Sequence, residues 1–240
     1  MPNLSGADVA TLIANEPPRA DDDRDAFGRL QRLCRAAARA LSASGVGVIV
    51  MSEQGDPTAV ASSSRPSEEI QELQLTLGEG PGLDAYALRR PSLTPDLALA
   101  ARSRWLGYGP AARERGVEAV FAFPLQMGAA RLGAMNIYRD HPGSLSPECM
   151  TQAFSFAQEA MGSLLDAHAS DGSNSPAGLD ALESRFSLYQ AQGMVSVQLR
   201  VGLAEAMSRL RAHAYALDRR LGEVADDVVA RKLTFESDQS

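Results

Sequence analysis

Residues 189–229 read YQAQGMVSVQLRVGLAEAMSRLRAHAYALDRRLGEVADDVV, and their hydrophobic spacing is that of a small helical unit. In the middle of this stretch an apolar residue returns every three or four positions, which is the period of one helix face. This first stripe consists of Leu203, Met207, Leu210, Ala214 and Leu217. A second, shorter stripe consists of Leu221, Val224, Ala225 and Val228. Together with a helix before them, the two stripes predict a compact C-terminal module of three helices.

The first helix of this module is expected to begin at Ser175 and Pro176, because a serine cap followed by proline favours a helix start. Along it, residues recur at the alternating intervals of three and four that define a coiled-coil seam over two heptads. These residues are Leu179, Leu182, Phe186, Tyr189 and Gly193. The seam predicts a coiled-coil homodimer, although packing of the same stripe against the protein's own domain explains the spacing equally well.

A change of composition separates the module from the rest of the chain. The segment ASDGSNSPAG is small and polar and contains Gly and Pro, which is typical of a linker. With this boundary the chain divides into an N-terminal extension at 1–19, a first domain at 20–168, the linker at 169–178, a C-terminal domain at 179–234 and a tail at 235–240.

Helix and hairpin signals alternate through the first domain. A helical stripe over 24–44, with Gly45 as its predicted end, precedes a hairpin over 46–63 that turns at EQGDP. A helix start at Ser67, a Gly-Pro-Gly turn, a short helix and a Pro-bounded edge strand come next. A second hairpin turns at Met127 to Ala130, and Ser146 with Pro147 starts a closing helix. This order predicts an α+β fold, in which an antiparallel sheet is backed by the first and last helices.

Positive charge is concentrated near the C-terminal end of a chain whose formal net charge is −7. Residues 1–178 contain 15 arginines against 21 acids, whereas residues 185–220 contain six arginines against two acids. The net charge argues against a protein that coats nucleic acid indiscriminately, since that requires a large basic field. The arginines of the C-terminal module suit bidentate recognition of phosphate or bases.

The sequence gives little support to other functional classes. No apolar run reaches the eighteen or so residues of a membrane span, and acids stand where a secretion signal carries basic residues. A cytoplasmic protein without membrane contact is therefore expected. Cys34 and Cys149 are predicted to be buried free thiols. The three histidines are scattered and the sequence contains no nucleophile motif, which predicts a protein with no catalytic activity, no metal and no cofactor.

The C-terminal stretch resembles the ANTAR module, a three-helix RNA-binding domain of bacterial antitermination regulators. The resemblance rests on Gln190, Ala191, Gly193, Met194, Val195, Ala206, Leu210, Arg211, Ala214, Arg219, Leu221, Val224 and Ala225. A common form of the first motif has lysine where this chain has Gln192, and asparagine is frequent where this chain has Asp218. These differences remove one cation and add one anion. The resemblance implies a hairpin-loop RNA target, and binding that favours an antiterminator over a terminator.

The resemblance and the charge pattern together predict an RNA-binding surface. Asp218 is the expected N-cap of the last helix, which would place Arg219 and Arg220 in its first turn, beside free N–H groups that bind phosphate. The full predicted set is Gln190, Ala191, Gln192, Arg200, Arg211, His213, Arg219 and Arg220. Tyr189 and Tyr215 are candidates for stacking on bases, but core packing is the preferred interpretation of both.

Residues 20–168 look like a GAF domain, through GEGPGLDAYALRRPSLTPDLA, RWLGYGPAARERGVEAVFAFPLQMGAARLGAMNIY and PGSLSPE. GAF domains as a class bind varied small molecules or mediate dimers, so the resemblance implies a sensor with an unidentified small-molecule ligand. A pocket between the sheet and the segments 77–98 and 103–118 would hold such a ligand, and a closed interior is the alternative. Some relatives carry a cysteine where this chain has Gly82, so a covalent chromophore at that position is excluded.

The favoured function is regulation of transcription antitermination by a dimer that binds hairpin-loop RNA under control of a GAF-like sensor. A DNA-binding helix-turn-helix regulator with a GAF sensor is the alternative, because residues 203–231 also predict two short helices and a turn. The turn at Ala216, Leu217 and Asp218 lacks the glycine often found in that motif, which favours RNA. A module that binds only protein would require the arginines to be incidental.

Overall fold

The computed structural model describes residues 6–17, 19, 26–51, 57–128, 130–170 and 176–235. Its elements in chain order are α1 (Gly6–Ala14), α2 (Ala26–Ala40), β1 (Gly45–Met51), β2 (Pro57–Ser62), α3 (Arg65–Leu77), α4 (Pro81–Leu88), β3 (Ser92–Thr94), α5 (Leu97–Ala100), α6 (Tyr108–Glu114), β4 (Ala119–Met127), β5 (Ala130–Arg139), α7 (Pro147–Ser170), α8 (Pro176–Leu199), α9 (Leu203–Ala216) and α10 (Leu221–Val229). The predicted α+β fold followed by a helical module is confirmed.

The five strands form one antiparallel sheet in the order β2-β1-β5-β4-β3. Both predicted hairpins are confirmed, since β1 pairs with β2 and β4 pairs with β5. The predicted edge strand is β3, which pairs with β4. Pairing of β1 with β5, with Val46 opposite Ile137, joins the two hairpins into a continuous sheet.

One face of this sheet is covered by α2 and α7, the two helices predicted to back it. Leu30 and Leu33 of α2 and Phe156 of α7 share one buried cluster with Phe121 and Phe123 of β4. Full burial of side chains of this size stabilises the fold by about 1.5–3 kcal/mol each. The cluster therefore accounts for the attachment of the first and last long helices to the sheet.

Two predicted helix boundaries in the first domain were wrong. α2 ends at Ala40 rather than at Gly45, because the chain turns through Ser42 at a φ of 49° and Gly45 already belongs to β1. α3 begins at Arg65, where Ser64 is the N-cap and its hydroxyl accepts a hydrogen bond from the backbone N–H of Ser67. The predicted start at Ser67 is thus the third position of a capping box.

The opposite face of the sheet is covered by α3 to α6. Ile70 of α3, with Trp105 and Tyr108, is buried in one cluster with Val120 and Tyr138 of the sheet. Glu79 accepts hydrogen bonds from the N–H groups of Gly107 and Tyr108 at 2.6 and 2.8 Å, and so fixes the start of α6.

The C-terminal helices α8, α9 and α10 have a buried core of their own. It includes the whole predicted α10 stripe and three members of the predicted α9 stripe: Met207, Leu210, Ala214, Leu221, Val224, Ala225 and Val228. The two end members of the α9 stripe, Leu203 and Leu217, are 58% and 54% exposed, because they lie where the helix leaves the core. Most side chains of the predicted coiled-coil seam lie outside the described residues.

Candidate nucleic-acid interface

The turn between α9 and α10, residues 217–220, is built differently from the prediction. Asp218 adopts a left-handed φ of 49°, and the N–H of Arg219 donates to the carbonyl of Ala214 at 2.9 Å. With the bond from Asp218 N–H to the carbonyl of Tyr215, this is the Schellman closure of α9. Asp218 therefore ends α9 and is not the N-cap of α10, which is Arg220. Asparagine and aspartate both tolerate a left-handed φ, so the backbone of position 218 accepts either residue.

Arg219 lies just before α10 and is held by that helix. Its Nη2 donates to Oδ2 of Asp227 at 2.7 Å, and its Nε lies 3.8 Å from a carboxylate oxygen of Glu223. The side chain is 34% exposed. Arg219 is thus oriented within the module itself while part of its side chain remains open to solvent.

Arg220, the N-cap residue of α10, reaches across to the first domain. Its Nη1 lies 2.8 Å from Oε1 of Glu68 on α3. Burial raises the pKa of the neighbouring Glu72 to about 7, the charge of Arg220 opposes this rise, and repulsion from Glu68 and Glu223 adds to it. One arginine of the module is therefore surrounded by three carboxyl groups.

Two further residues of the module also contact the first domain. Oδ1 of Asp218 accepts a hydrogen bond from Nη2 of Arg115, the residue that follows α6, at 2.8 Å. The guanidinium of Arg211 lies over Gly78, where an added Cβ would come within 2.9 Å of Nη1. These contacts accompany the packing of α9 and α10 against α3.

The predicted arginine cluster is consequently divided. Arg220 contacts residue 68 and Arg211 lies over residue 78, and ten positions of a helix span roughly 15 Å. Arg219 is directed along α10 instead. The three side chains occupy separate positions, two of them against the first domain.

The remaining predicted site residues have diverse surroundings. Ala191 is completely buried in the module core, which makes its side chain a packing element. Nε2 of Gln192 donates to the carbonyl of Leu203 at 2.9 Å and ties α8 to the start of α9. Gln190 is exposed, and Arg200 is exposed at a left-handed φ of 58° in the turn after α8.

Aromatic side chains near the interface differ in exposure. His213 is half-buried and makes an edge contact with Phe235, with ring centroids 5.2 Å apart. Tyr215 is 50% exposed, so the preferred interpretation of core packing was wrong for it. The side chain of Tyr189 lies outside the described residues.

Sequence reasoning missed Glu68, Glu72 and Arg115, the first-domain residues that face the module. A signal existed in the spacing of Glu68 and Glu72, because residues four apart share one helix face. Nothing in the local sequence indicates that this acidic face meets the C-terminal module, since the contact joins residues about 150 positions apart.

The interior of the first domain, between α3 and the sheet, contains polar side chains of the protein itself. Nε2 of Gln71 donates to the carbonyl of Ala61 at 3.0 Å and to the hydroxyl of Ser62 at 2.8 Å. Oε1 of Gln74 accepts from the N–H of Gly82 at 2.8 Å. Both glutamines are fully buried and come from the inner side of α3. α3 therefore contacts both the interior of the first domain and the C-terminal module.

None of the helices in the described ranges combines the length and the apolar character that a bilayer span requires. Among those same residues, His, Cys, Asp and Glu side chains form no group of three or more arranged to hold a metal ion.

Comparison with known families matches both parts of the chain. The sequence model of the GAF domain matches residues 28–162, and that of the ANTAR domain matches residues 179–229. Each match lies within the corresponding predicted domain. No curated protein sequence matches the chain.

Solved structures similar to this chain include GAF domains of bacterial proteins. The GAF domain of an Acinetobacter phosphoenolpyruvate-protein phosphotransferase is 15% identical with a TM-score of 0.53, covering 72% of this chain and 100% of that chain. The corresponding domain from Coxiella burnetii is 16% identical with a TM-score of 0.53, covering 71% of this chain and 100% of that chain. At these identities the similarity shows the fold alone.

Proposed function

Because the chain belongs to the GAF domain family and carries an ANTAR domain behind it, we propose that it is an RNA-binding regulator of transcription antitermination. An ANTAR domain implies RNA binding and antitermination, and a GAF domain implies a sensor. In this proposal the C-terminal module binds hairpin-loop RNA, and the GAF domain controls that binding. The observation that carries it is the ANTAR match over three helices with a core of their own.

The chemistry of the α9–α10 turn supports contact with a phosphate backbone. The N-cap residue of α10 makes no side-chain hydrogen bond to the helix, so the first N–H groups receive no cap from it. Free N–H groups at a helix start attract phosphate, and guanidinium groups beside them strengthen the attraction. Arg220 is this N-cap residue, Arg219 precedes it, and the exposed Arg200 adds a further cation on the module.

A hairpin loop is the proposed form of the RNA. Side chains cannot read bases in the narrow groove of an A-form helix, whereas loop bases are unstacked and open to contact. The half-exposed ring of Tyr215 on α9 offers a surface on which a base could stack. We propose that binding favours an antiterminator hairpin over a terminator.

The rest of the proposal concerns activity, assembly and location. The protein is proposed to act without catalysis, in the cytoplasm, and as a homodimer through α8. A ligand of the GAF domain is proposed only as a small molecule of unknown kind. The continuous helix from Pro176 to Leu199 supports the dimer by supplying the required length. Sedimentation showing a monomer at micromolar concentration would contradict it.

Gel-shift assays test the function directly. The full chain is titrated against a pool of RNA hairpins with randomised loops, a duplex DNA and single strands of each. Selective binding of hairpins is expected, and a preference for duplex DNA would support a helix-turn-helix regulator and overturn the RNA proposal. Arg219→Ala is expected to weaken binding of all hairpins, whereas Arg231→Ala, at an exposed position beyond α10, should not.

A further inference from the structure

Two ion pairs of opposite polarity hold the α9–α10 turn against the first domain. In the pair of Arg220 with Glu68 the module supplies the cation, and in the pair of Asp218 with Arg115 it supplies the anion. Both distances are 2.8 Å. Asp218 and Arg220 are separated by a single residue, so the turn forms one ion pair with α3 and another with the residue that follows α6.

We propose that these four residues form an autoinhibitory clasp, which withholds part of the RNA-binding surface until the module separates from α3. The inference rests on the proposed function and assigns the regulation of that same site. In the docked state Arg220 is engaged by Glu68, and Arg211 faces the end of α3 at Gly78. RNA phosphate and the acidic side chain of Glu68 therefore compete for the guanidinium of Arg220, and the packing over Gly78 keeps Arg211 against the first domain.

Electrostatics around Arg220 strengthen this competition. Glu68 and Glu72 of α3 and Glu223 of α10 all interact with Arg220, so three carboxyl groups surround one cation. A phosphate that approaches the docked turn meets these carboxyl groups in a partly desolvated setting, where repulsion from the ionised ones is screened less than in water. Separation from α3 would remove Glu68 and Glu72 and leave only Glu223 beside the arginine.

Asp218 has a role in this arrangement that RNA binding alone does not explain. An acid in the turn repels phosphate, yet here its carboxylate forms an interdomain hydrogen bond with Arg115. Its backbone requires only a residue that accepts a left-handed φ. The acidic side chain therefore contributes to the docked state rather than to the contact with RNA.

The position of α3 connects the clasp to the sensor interior. Gln71 and Gln74 extend from its inner side into hydrogen bonds with β2 and with the start of α4. Glu68 and Glu72 of the same helix interact with Arg220 of the module. A change inside the sensor that displaces α3 would alter both sets of contacts, because packed elements move as units.

The test replaces only first-domain residues, so that the RNA surface is unchanged. The variant E68Q/R115Q of the full chain removes both pairs with no change in net charge. The matched control E69Q/R113Q makes the same exchanges on neighbouring residues whose ion pairs lie within the first domain, with Arg65 and Glu118. Affinity for the randomised-loop hairpin pool is measured together with hydrogen exchange of α3 and residues 217–229.

Exposed or partly exposed ion pairs each bias an equilibrium modestly, so we expect the hairpin affinity of E68Q/R115Q to rise about two- to thirtyfold. Hydrogen exchange at 217–229 should accelerate, and the control should match the unsubstituted chain in both. Equal hairpin affinity of all three proteins would overturn the clasp while leaving RNA binding intact. If none of the three proteins binds any hairpin, the proposed function fails. In that case, hydrogen exchange at 217–229 that is the same in E68Q/R115Q and in the unsubstituted chain would overturn the clasp separately.

Discussion

Nη1 of Arg220 and Oε1 of Glu68 lie 2.8 Å apart, and this pair joins the cap of the last helix to the helix that covers the sensor sheet. The two residues lie on separate domains and carry opposite charges. Glu72 is buried beside this pair, where Arg220, Glu68 and Glu223 influence its pKa. Protonation of Glu72 is therefore expected to affect the contact between the two domains.

Glu72 should make the docked fold more stable at mildly acidic pH than at pH 8. Its pKa in the fold is raised to about 7 from an ordinary value of 4.5, chiefly by burial, with Arg220 opposing the rise and Glu68 and Glu223 adding to it. The folded state thus binds the proton more tightly than the unfolded state, and its stability falls as pH rises between these values. Thermal unfolding of the full chain at pH 5.5 and pH 8 measures this fall.

The variant E72Q supplies the reference for that measurement, because glutamine keeps the shape of the side chain and removes its titration. At pH 8 this variant should unfold at a higher temperature than the unsubstituted chain, and the gap should close towards pH 5.5. E69Q, at an exposed position on the same helix, should leave the pH dependence unchanged. Parallel pH profiles for E72Q and the unsubstituted chain would show that Glu72 is solvated.

Arg219→Ala should weaken RNA binding without specificity and lower its salt dependence. Removal of one phosphate contact reduces the slope of log affinity against log salt by about 0.7–0.9. Loss of the partly buried pair with Asp227 should also lower the free energy of unfolding by about 1 kcal/mol. Gel shifts at several salt concentrations and urea unfolding separate the two effects. An unchanged salt slope would mean that Arg219 acts only through Asp227.

Gln192→Ala is expected to affect stability rather than the salt slope. The substitution removes the hydrogen bond that Nε2 of Gln192 donates to the carbonyl of Leu203, which contributes about 0.5–1.5 kcal/mol. Because glutamine is neutral, no counterion release is lost. Urea unfolding should detect the change, with Gln190→Ala as an exposed control on the same helix. A stability equal to that of the control would indicate that the bond contributes nothing.

The fold was predictable wherever the deciding signal is local. Ser146 and Pro147 mark the start of α7, and the turn at Met127 to Ala130 marks the second hairpin, because caps and turns depend on adjacent residues. The conformation of Asp218 was not predictable, since aspartate is accepted both at the N-cap of a helix and in the left-handed residue that follows a helix C-terminus. Its role was settled by the closure of α9.

The candidate site was only partly predictable for a different reason. The residue types on the module follow from its arginine content, but the partners of Arg220 and Asp218 come from distant parts of the chain. Helix periodicity gives the face on which a side chain lies and not the domain that covers this face. Ala191 illustrates the same limit, because a residue within a recognisable motif can be completely buried.

Gly47→Ala should destabilise the first domain by displacing α3. A Cβ at this position of β1 would lie 2.2 Å from Nε2 and 2.3 Å from Cδ of Gln71, whose side chain is held by two hydrogen bonds and cannot swing aside freely. Overpacking of this kind costs about 1–3 kcal/mol. Urea unfolding of the single variant should show that loss.

The double variant G47A/Q71A tests whether the loss arises at this contact. Shortening Gln71 removes the atoms that the new methyl group would meet, so the two substitutions should be strongly non-additive in the free energy of unfolding. Gln71→Ala alone should also destabilise, because Nε2 of Gln71 bonds to the buried end of β2. If G47A moves α3, its hairpin affinity should rise above that of the unsubstituted chain and return towards it in G47A/Q71A. If the losses of unfolding free energy in G47A and Q71A simply add in the double variant, the new methyl group does not act through Gln71. The proposed connection from β1 through Gln71 to α3 would then be wrong.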